Sequence, residues 1–288
     1  MKPASNLPVH PEIRPGQSIA LLQELHILTR DGKLNQDSRR KLKQVYHLFQ
    51  FIEKLLIEVA SENDGNITLA DHGAGKSYLG FIIYDLFFLA NASGASGHIY
   101  GIETRADLIE KSRALALRCG FTRMSFLNVS AADAINIDVL PDKIDVVTAL
   151  HACDTATDDA IQFGLQKQAK FMVLVPCCQA EIARALNADK ARSLSRTPLA
   201  ELWRHPLHTR EVGAQITNVL RSLYLEANGY QVTVTELVGW EHSLKNELII
   251  ARRLDKSGKP NRAAAERLKA LLVTFGLESL LETRYKIL

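Results

Sequence analysis

Three short stretches hold the residues that could do chemistry. The first, Asp71-His72-Gly73-Ala74-Gly75-Lys76-Ser77, sets a carboxylate ahead of two glycines spaced for a tight turn. Gly73 and Gly75 permit positive φ and carry no Cβ to hold a ligand off the backbone. A helix beginning near Lys76 would aim its unbonded N–H groups and positive dipole end at whatever is bound. The second is Glu103, with Thr104 beside it, at the end of the apolar run His98–Ile102. A carboxylate there can accept both hydroxyls of a ribose. The third is a pair of segments, His151-Ala152-Cys153-Asp154-Thr155-Ala156-Thr157-Asp158 and Pro176-Cys177-Cys178-Gln179. His151 is the first choice for a base or substrate-orienting group, because an imidazole suits proton transfer near neutral pH, with Asp154 second.

The glycine turn admits several ligands. Gly75-Lys76-Ser77 ends like a P-loop, but the first glycine of that motif falls on Ala70. A dinucleotide turn needs a third glycine at position 78, which is Tyr78. The pattern D-x-G-x-G fits without mismatch, and an ordinary strand–helix turn with no ligand is the bland alternative. His151, Cys153, Cys177 and Cys178 total four nitrogen or sulfur donors. Adjacent strand residues face opposite ways and there is no C-x-x-C, so no metal site is expected.

These residues need elements to position them. Residues 1–15 hold four prolines and read as an extended lead-in. Ser18 to Leu28 is weakly helical. From about Asp37, Leu42, Val45, Phe49, Ile52, Leu56 and Val59 recur at helical spacing, predicting about six turns with Arg39, Arg40, Lys41 and Lys43 on the polar side. A strand at Ile67–Ala70 leads into the glycine turn, and an apolar helix runs to about Ala90. Asn91 to Gly97 is a small-residue loop. Further strands fall at His98–Ile102, Met124–Asn128, Ile144–Leu150 and Phe171–Val175, with a helix from Arg105 to Cys119. Thr155 and Asp158 have capping-box spacing for the helix after the fourth strand. A basic, His-containing connection covers 184–210. The helix Gly213–Asn228 presents Ile216, Val219, Leu220, Leu223 and Ala227 on one face. Gln231–Val238 and Glu247–Arg252 read as an antiparallel closing pair around 239–246, and a last helix spans Arg262–Phe275.

The 288 residues, 47% hydrophobic and 23% charged, suit one large α/β domain with extensions. No apolar run is long enough to cross a bilayer, and the polar, proline-marked start has no secretory h-region. Four cysteines, two of them adjacent, make no disulfide framework, so a cytoplasmic location is expected. Residues 1–60 carry nine Lys/Arg against six Asp/Glu, residues 251–288 nine against four, and the middle 17 against 22. The basic excess at the two ends is compatible with a polyanionic substrate.

The D-x-G-x-G turn resembles that of S-adenosylmethionine-dependent methyltransferases. The alternation of strands and helices resembles their class I fold, a Rossmann-like, doubly wound seven-stranded sheet of order 3-2-1-4-5-7-6 with the last strand antiparallel. Asp71–Gly80, His151–Asp158 and Pro176–Gln179 together resemble the methyltransferase domain of glutathione S-transferase C-terminal domain-containing proteins, in a wider family with methyltransferase-like 25 proteins. The resemblance covers roughly residues 35–255. It implies a helical extension at 1–60, a methyltransferase domain at 61–255 and a helical tail at 256–288. S-adenosylmethionine is then the implied cofactor, held by Asp71, His72, Gly73, Ala74, Gly75, Glu103 and Thr104, with Ser130 and Ala131 where such folds touch adenine. The last two motifs also resemble a tRNA 2′-O-methyltransferase family reading H-L-C-G-x-A-T-D and C-C-H-H, from which this chain departs at Ala152, Asp154, Gln179 and Ala180. RNA is the implied substrate. A protein or small-molecule acceptor, an NTP-binding use of 70–77, and a non-catalytic cofactor-fold module are the other readings.

Overall fold

A computed structural model describes residues 11–90, 96–177, 179–189, 197–237, 247–254 and 260–287; the side chains of His151, Ala188 and Asp189 lie outside that description. So do most of the lead-in, the small-residue loop at 91–95, Cys178, residues 190–196 of the basic connection, and the closing loop 238–246. The chain forms two compact units, residues 1–130 with 236–246, and residues 131–235 with 247–288.

The first unit begins with α1 (Ile19–Glu24), capped by the Ser18 hydroxyl. Helix α2 (Gln36–Glu62) starts where the Asn35 side chain accepts the Ser38 N–H at 2.8 Å. It buries Leu42, Val45, Phe49, Ile52, Leu56 and Val59, the stripe that the sequence spacing predicts. Strand β1 (Asn66–His72) is buried from Ile67 onward except at Thr68, as a central parallel strand covered on both faces should be. It runs two residues past Ala70, so both Asp71 and His72 belong to the strand. The next helix, α3 (Tyr78–Ile83), starts later than Lys76 because Ser77 takes a left-handed φ of 51°. It continues as one wide π-helical segment, Tyr84–Leu89, instead of an α-helix to Ala90. Asp85 in that segment is buried and accepts the Ser18 N–H at 3.0 Å, which pins α1. Burial raises the Asp85 pKa. Strand β2 (Ser96–Glu103) pairs parallel with β1, from Asn66 opposite Ser96 to His72 opposite Ile102. Gly97 is needed there, because a Cβ would overlap the Phe88 ring. Helix α4 (Ala106–Cys119) and strand β3 (Met124–Asn128), parallel to β2, complete this unit.

The second unit opens with α5 (Ala131–Ala134) and strand β4 (Val146–Cys153), which reaches three residues beyond the expected Leu150. Helix α6 (Ala156–Gln166) follows, then β5 (Phe171–Cys177), α7 (Glu181–Asp189), a 3-10 segment at Pro198–Trp203 and α8 (Pro206–Ala227). Strands β6 (Tyr230–Glu236) and β7 (Glu247–Arg253) and helices α9 (Arg262–Thr274) and α10 (Leu280–Thr283) end the chain. Strands β4 and β5 pair parallel, and β7 lies antiparallel to β5. The seven strands are ordered β3-β2-β1-β4-β5-β7-β6, the order the resemblance implies. No helix among the described residues is long and apolar enough to cross a membrane.

Two local expectations are corrected. Thr155 makes no side-chain cap bond at the start of α6; Asp158, the other half of the expected box, turns to Arg221. On α8, Val219 is 48% exposed, whereas Arg221 is buried beside Ile216, Leu220, Tyr224 and Leu225. A fully paired cation can occupy an apolar helix face, and hydrophobicity alone places it on the wrong side.

Candidate active site

In the first unit the glycine turn and the tip of β2 form one bonded cluster. Gly73 and Gly75 have φ of 62° and 57°, the left-handed region. A Cβ on Gly75 would meet nothing closer than 3.9 Å, so backbone conformation and not crowding calls for glycine there. The Ala74 N–H donates to the Ile102 carbonyl at 3.2 Å, and the Gly75 N–H donates to Glu103 Oε2 at 2.9 Å. Glu103 Oε1 accepts the Arg105 N–H at 3.1 Å, Arg105 Nε at 3.3 Å and the Thr104 hydroxyl at 3.3 Å. Burial works to raise the Glu103 pKa, but these bonds and the Arg105 charge outweigh it and hold the carboxyl below its ordinary value. Glu103 is therefore an ionised, 8% exposed acceptor at the strand tip. It also accepts the N–H of Arg105, the N-cap of α4, so the role of helix-end charge coexists with that of a ligand acceptor.

The Asn128 side chain, at the end of β3, donates to the carbonyls of Glu103 at 3.1 Å and Thr104 at 2.8 Å and fixes that tip. Ser130 follows β3, and Ala131 opens α5. Asp71 and His72 are both buried. Burial lowers the His72 pKa to about 3, so its imidazole is neutral at physiological pH. Ser77 is completely buried and left-handed, which withdraws its hydroxyl from any phosphate-bound cation. That burial, with Ala70 in place of the first glycine, removes the P-loop reading.

The residues of this cluster suit an adenosine-type ligand. Among the described residues, Glu103 Oε2 accepts only the Gly75 N–H and keeps a lone pair for a hydroxyl. The turn itself is exposed to half-exposed from Gly73 to Gly75, so ligand atoms can approach its backbone.

In the second unit, β4 carries His151 in its backbone just before Cys153. Asp154 follows with a φ of 51°. Its Oδ1 accepts the N–H groups of Ala180 at 2.9 Å and Glu181 at 3.1 Å, and its Oδ2 accepts Arg184 at 2.8 Å. The Asp154 carboxylate thus caps α7 from a distant stretch of chain. Burial acts to raise its pKa, and the two amides and the Arg184 charge lower it further than burial lifts it.

Behind this turn sits a set of residues that the motifs did not reveal. Arg221, 1% exposed, donates to Asp158 through Nε at 2.9 Å and Nη2 at 2.6 Å, and Nη2 also reaches the Asp154 carbonyl at 2.7 Å. Gln179 donates to Asn218 at 2.9 Å, and Asn218 donates to Glu247 at 2.7 Å. The Thr157 hydroxyl donates to the Ala152 carbonyl at 2.7 Å. The one trace of this network in the sequence is a cation inside the apolar stripe of α8.

Known proteins resemble parts of this chain. The chain is 21% identical over 238 residues to a glutathione S-transferase C-terminal domain-containing protein of Xenopus laevis, covering 76% of this chain and 35% of that one. It is 29% identical over 138 residues to a homolog in Drosophila pseudoobscura pseudoobscura, covering 41% and 23%. The chain thus spans about a third of the frog relative's length and under a quarter of the fly relative's. Among solved structures, the S-adenosylhomocysteine-bound Podospora anserina methyltransferase PaMTH1 is 11% identical with a TM-score of 0.45, covering 82% of this chain and 88% of that one. A family model described as a methyltransferase domain matches residues 40–185, about half of the chain. The chain belongs to this methyltransferase-domain family, with S-adenosylmethionine as the methyl donor that such a domain uses.

Proposed function

We propose that the chain methylates RNA. The observation that carries this reading is a groove of about 410 Å³ along α2, lined by Arg39, Lys43 and His47 with Glu12, Leu42, Tyr46 and Gln50. Arg39, Lys43 and His47 recur every four residues and so share one helix face. Basic side chains lining a groove together with an aromatic and an aliphatic one suit a phosphate backbone with an unstacked base. Arg39 is partly balanced by Glu12 at 2.9 Å, and Lys43 places a second basic side chain on the same face. Helix α2 packs on β1 and α3, the elements that flank the glycine turn, so groove and turn belong to one unit.

In this reading Asp71, His72, Gly73, Ala74, Gly75, Glu103 and Thr104 hold the cofactor, Glu103 through the ribose, with Ser130 and Ala131 toward the adenine. The cofactor supplies a methyl group activated by its sulfonium. The chain supplies orientation, exclusion of water and a place for the acceptor's proton, which we assign to His151. Asp154, whose carboxylate is bonded to the start of α7, serves as the group that positions the turn after His151. The cysteine pattern supports a cytoplasmic location.

The test is transfer of labelled methyl groups from S-adenosylmethionine into total RNA, total protein and a small-molecule extract. Label in RNA, lost in His151→Ala with cofactor binding intact, is the expected result. Label in protein or small molecules alone would overturn the RNA assignment. Cofactor binding with no transfer into any fraction would favour a non-catalytic module.

A further inference from the structure

Strand β4 contains a bulge whose placement has a chemical consequence. Leu150 pairs with Val175, but the next recorded pair is Cys153 with Cys177, so three steps along β4 match two along β5. A regular ladder would set Ala152 opposite Cys177. The extra residue instead brings two cysteines face to face on adjacent parallel strands. Their Sγ atoms are 3.5 Å apart, about 1.5 Å longer than a disulfide bond. Paired strands lie about 4.8 Å apart. That is inside the range of roughly 4.4–6.8 Å between Cα atoms that a disulfide spans, so rotation of the two side chains suffices to close the bond. Cys153 is exposed and Cys177 is half-buried, which leaves one sulfur open to solvent and the other close beside it.

We propose that Cys153 and Cys177 form a reversible oxidation site, a dithiol that hydrogen peroxide closes to an intrachain disulfide. The Cys153 sulfur attacks one peroxide oxygen: an S–O bond forms, the O–O bond breaks, and the departing hydroxide leaves as water with the thiol proton. The Cys177 sulfur then attacks the Cys153 sulfur of the resulting sulfenic acid. An S–S bond forms, the S–O bond breaks, and hydroxide leaves as a second water with the Cys177 proton. The two sulfurs lose two electrons and the peroxide gains them. An external dithiol reverses the reaction by exchange. The crosslink joins the ends of β4 and β5 immediately before Asp154, whose carboxylate anchors α7.

The experiment uses the full chain, fully reduced and then exposed to hydrogen peroxide, with thiols counted after denaturation and the oxidised peptides mapped by mass. The expected result is a fall from four thiols to two, a mass loss of two hydrogens and a linked peptide containing Cys153 and Cys177, all reversed by a dithiol reductant. Cys119→Ser should oxidise as the wild type does. Cys177→Ser should leave Cys153 as a sulfenic acid that dimedone traps, while circular dichroism confirms the fold. A linkage to Cys178 or Cys119 would overturn the proposal. So would Cys153 advancing to sulfinic acid with Cys177 still a thiol, or four thiols persisting at peroxide exposures that oxidise glutathione.

Discussion

Replacing Glu103 by Ala should remove the ribose acceptor while leaving the rest of the glycine turn in place. Both carboxylate oxygens are lost. The lone pair left on Oε2 serves one ribose hydroxyl, and a hydrogen bond to an ionised group contributes about 1.5–3 kcal/mol. The low end is apt because the truncated site admits water to the ligand's hydroxyls. That low end, about 1.5 kcal/mol, corresponds to roughly a tenfold rise in Kd for S-adenosylhomocysteine. Isothermal titration measures it, with the unfolding curve of the ligand-free variant as control, since the Gly75 and Arg105 N–H groups also lose their acceptor. Glu103→Gln should fall between the two, because its amide must present a donor to one of those N–H groups. The depressed carboxyl pKa sets the pH behaviour. A group whose folded pKa is lowered contributes fully above its unfolded value and loses that contribution as pH falls through the folded one. Affinity should therefore persist through mildly acidic pH and decline only below the ordinary glutamate range. A folded Glu103→Ala protein that binds within threefold of wild type would refute the ribose role.

Three further outcomes follow from the geometry. His72, with a folded pKa of about 3 against 6.5, binds its proton in the unfolded chain first, so the stability it supports is complete above pH 6.5 and is lost as pH falls toward 3. Between pH 7 and 5 that loss is about 2 kcal/mol, and urea titrations at the two pH values should show His72→Gln with a correspondingly flatter dependence; an unchanged slope would contradict it. Arg221→Ala leaves Asp158 buried without its cation and should cost about 3–5 kcal/mol in chemical denaturation, with much of it recovered in Arg221→Met/Asp158→Leu. A loss under about 1 kcal/mol would mean that the pair does not hold the turn. Charge reversal at Arg39 and Lys43 should weaken RNA binding and shallow its salt dependence by about 0.7 per lost phosphate contact, with S-adenosylhomocysteine affinity unchanged. An unaltered salt slope would move the RNA path off α2.

Where backbone type and periodicity carry the information, the sequence was legible. Paired glycines after an apolar run can only be a turn with left-handed residues, and φ of 62° and 57° at Gly73 and Gly75 answer that need. Alternation of apolar strands with helical spacing indicated a doubly wound, mostly parallel sheet, while its strand order came from the family resemblance. The carboxylate of Glu103 was legible for the same reason, since the end of the strand next to the turn is a fixed place. Hydrophobicity failed at Arg221, whose burial depends on a partner, Asp158, 63 residues away. The capping-box reading of Thr155 and Asp158 failed with it, since a local bond was traded for a buried ion pair. Local spacing determined the turn, and the alternation of elements determined the class of sheet. Tertiary structure alone decided that Asp154 would spend its carboxylate on α7 and that a bulge would set Cys153 against Cys177, because each contact joins segments that the chain brings together only on folding.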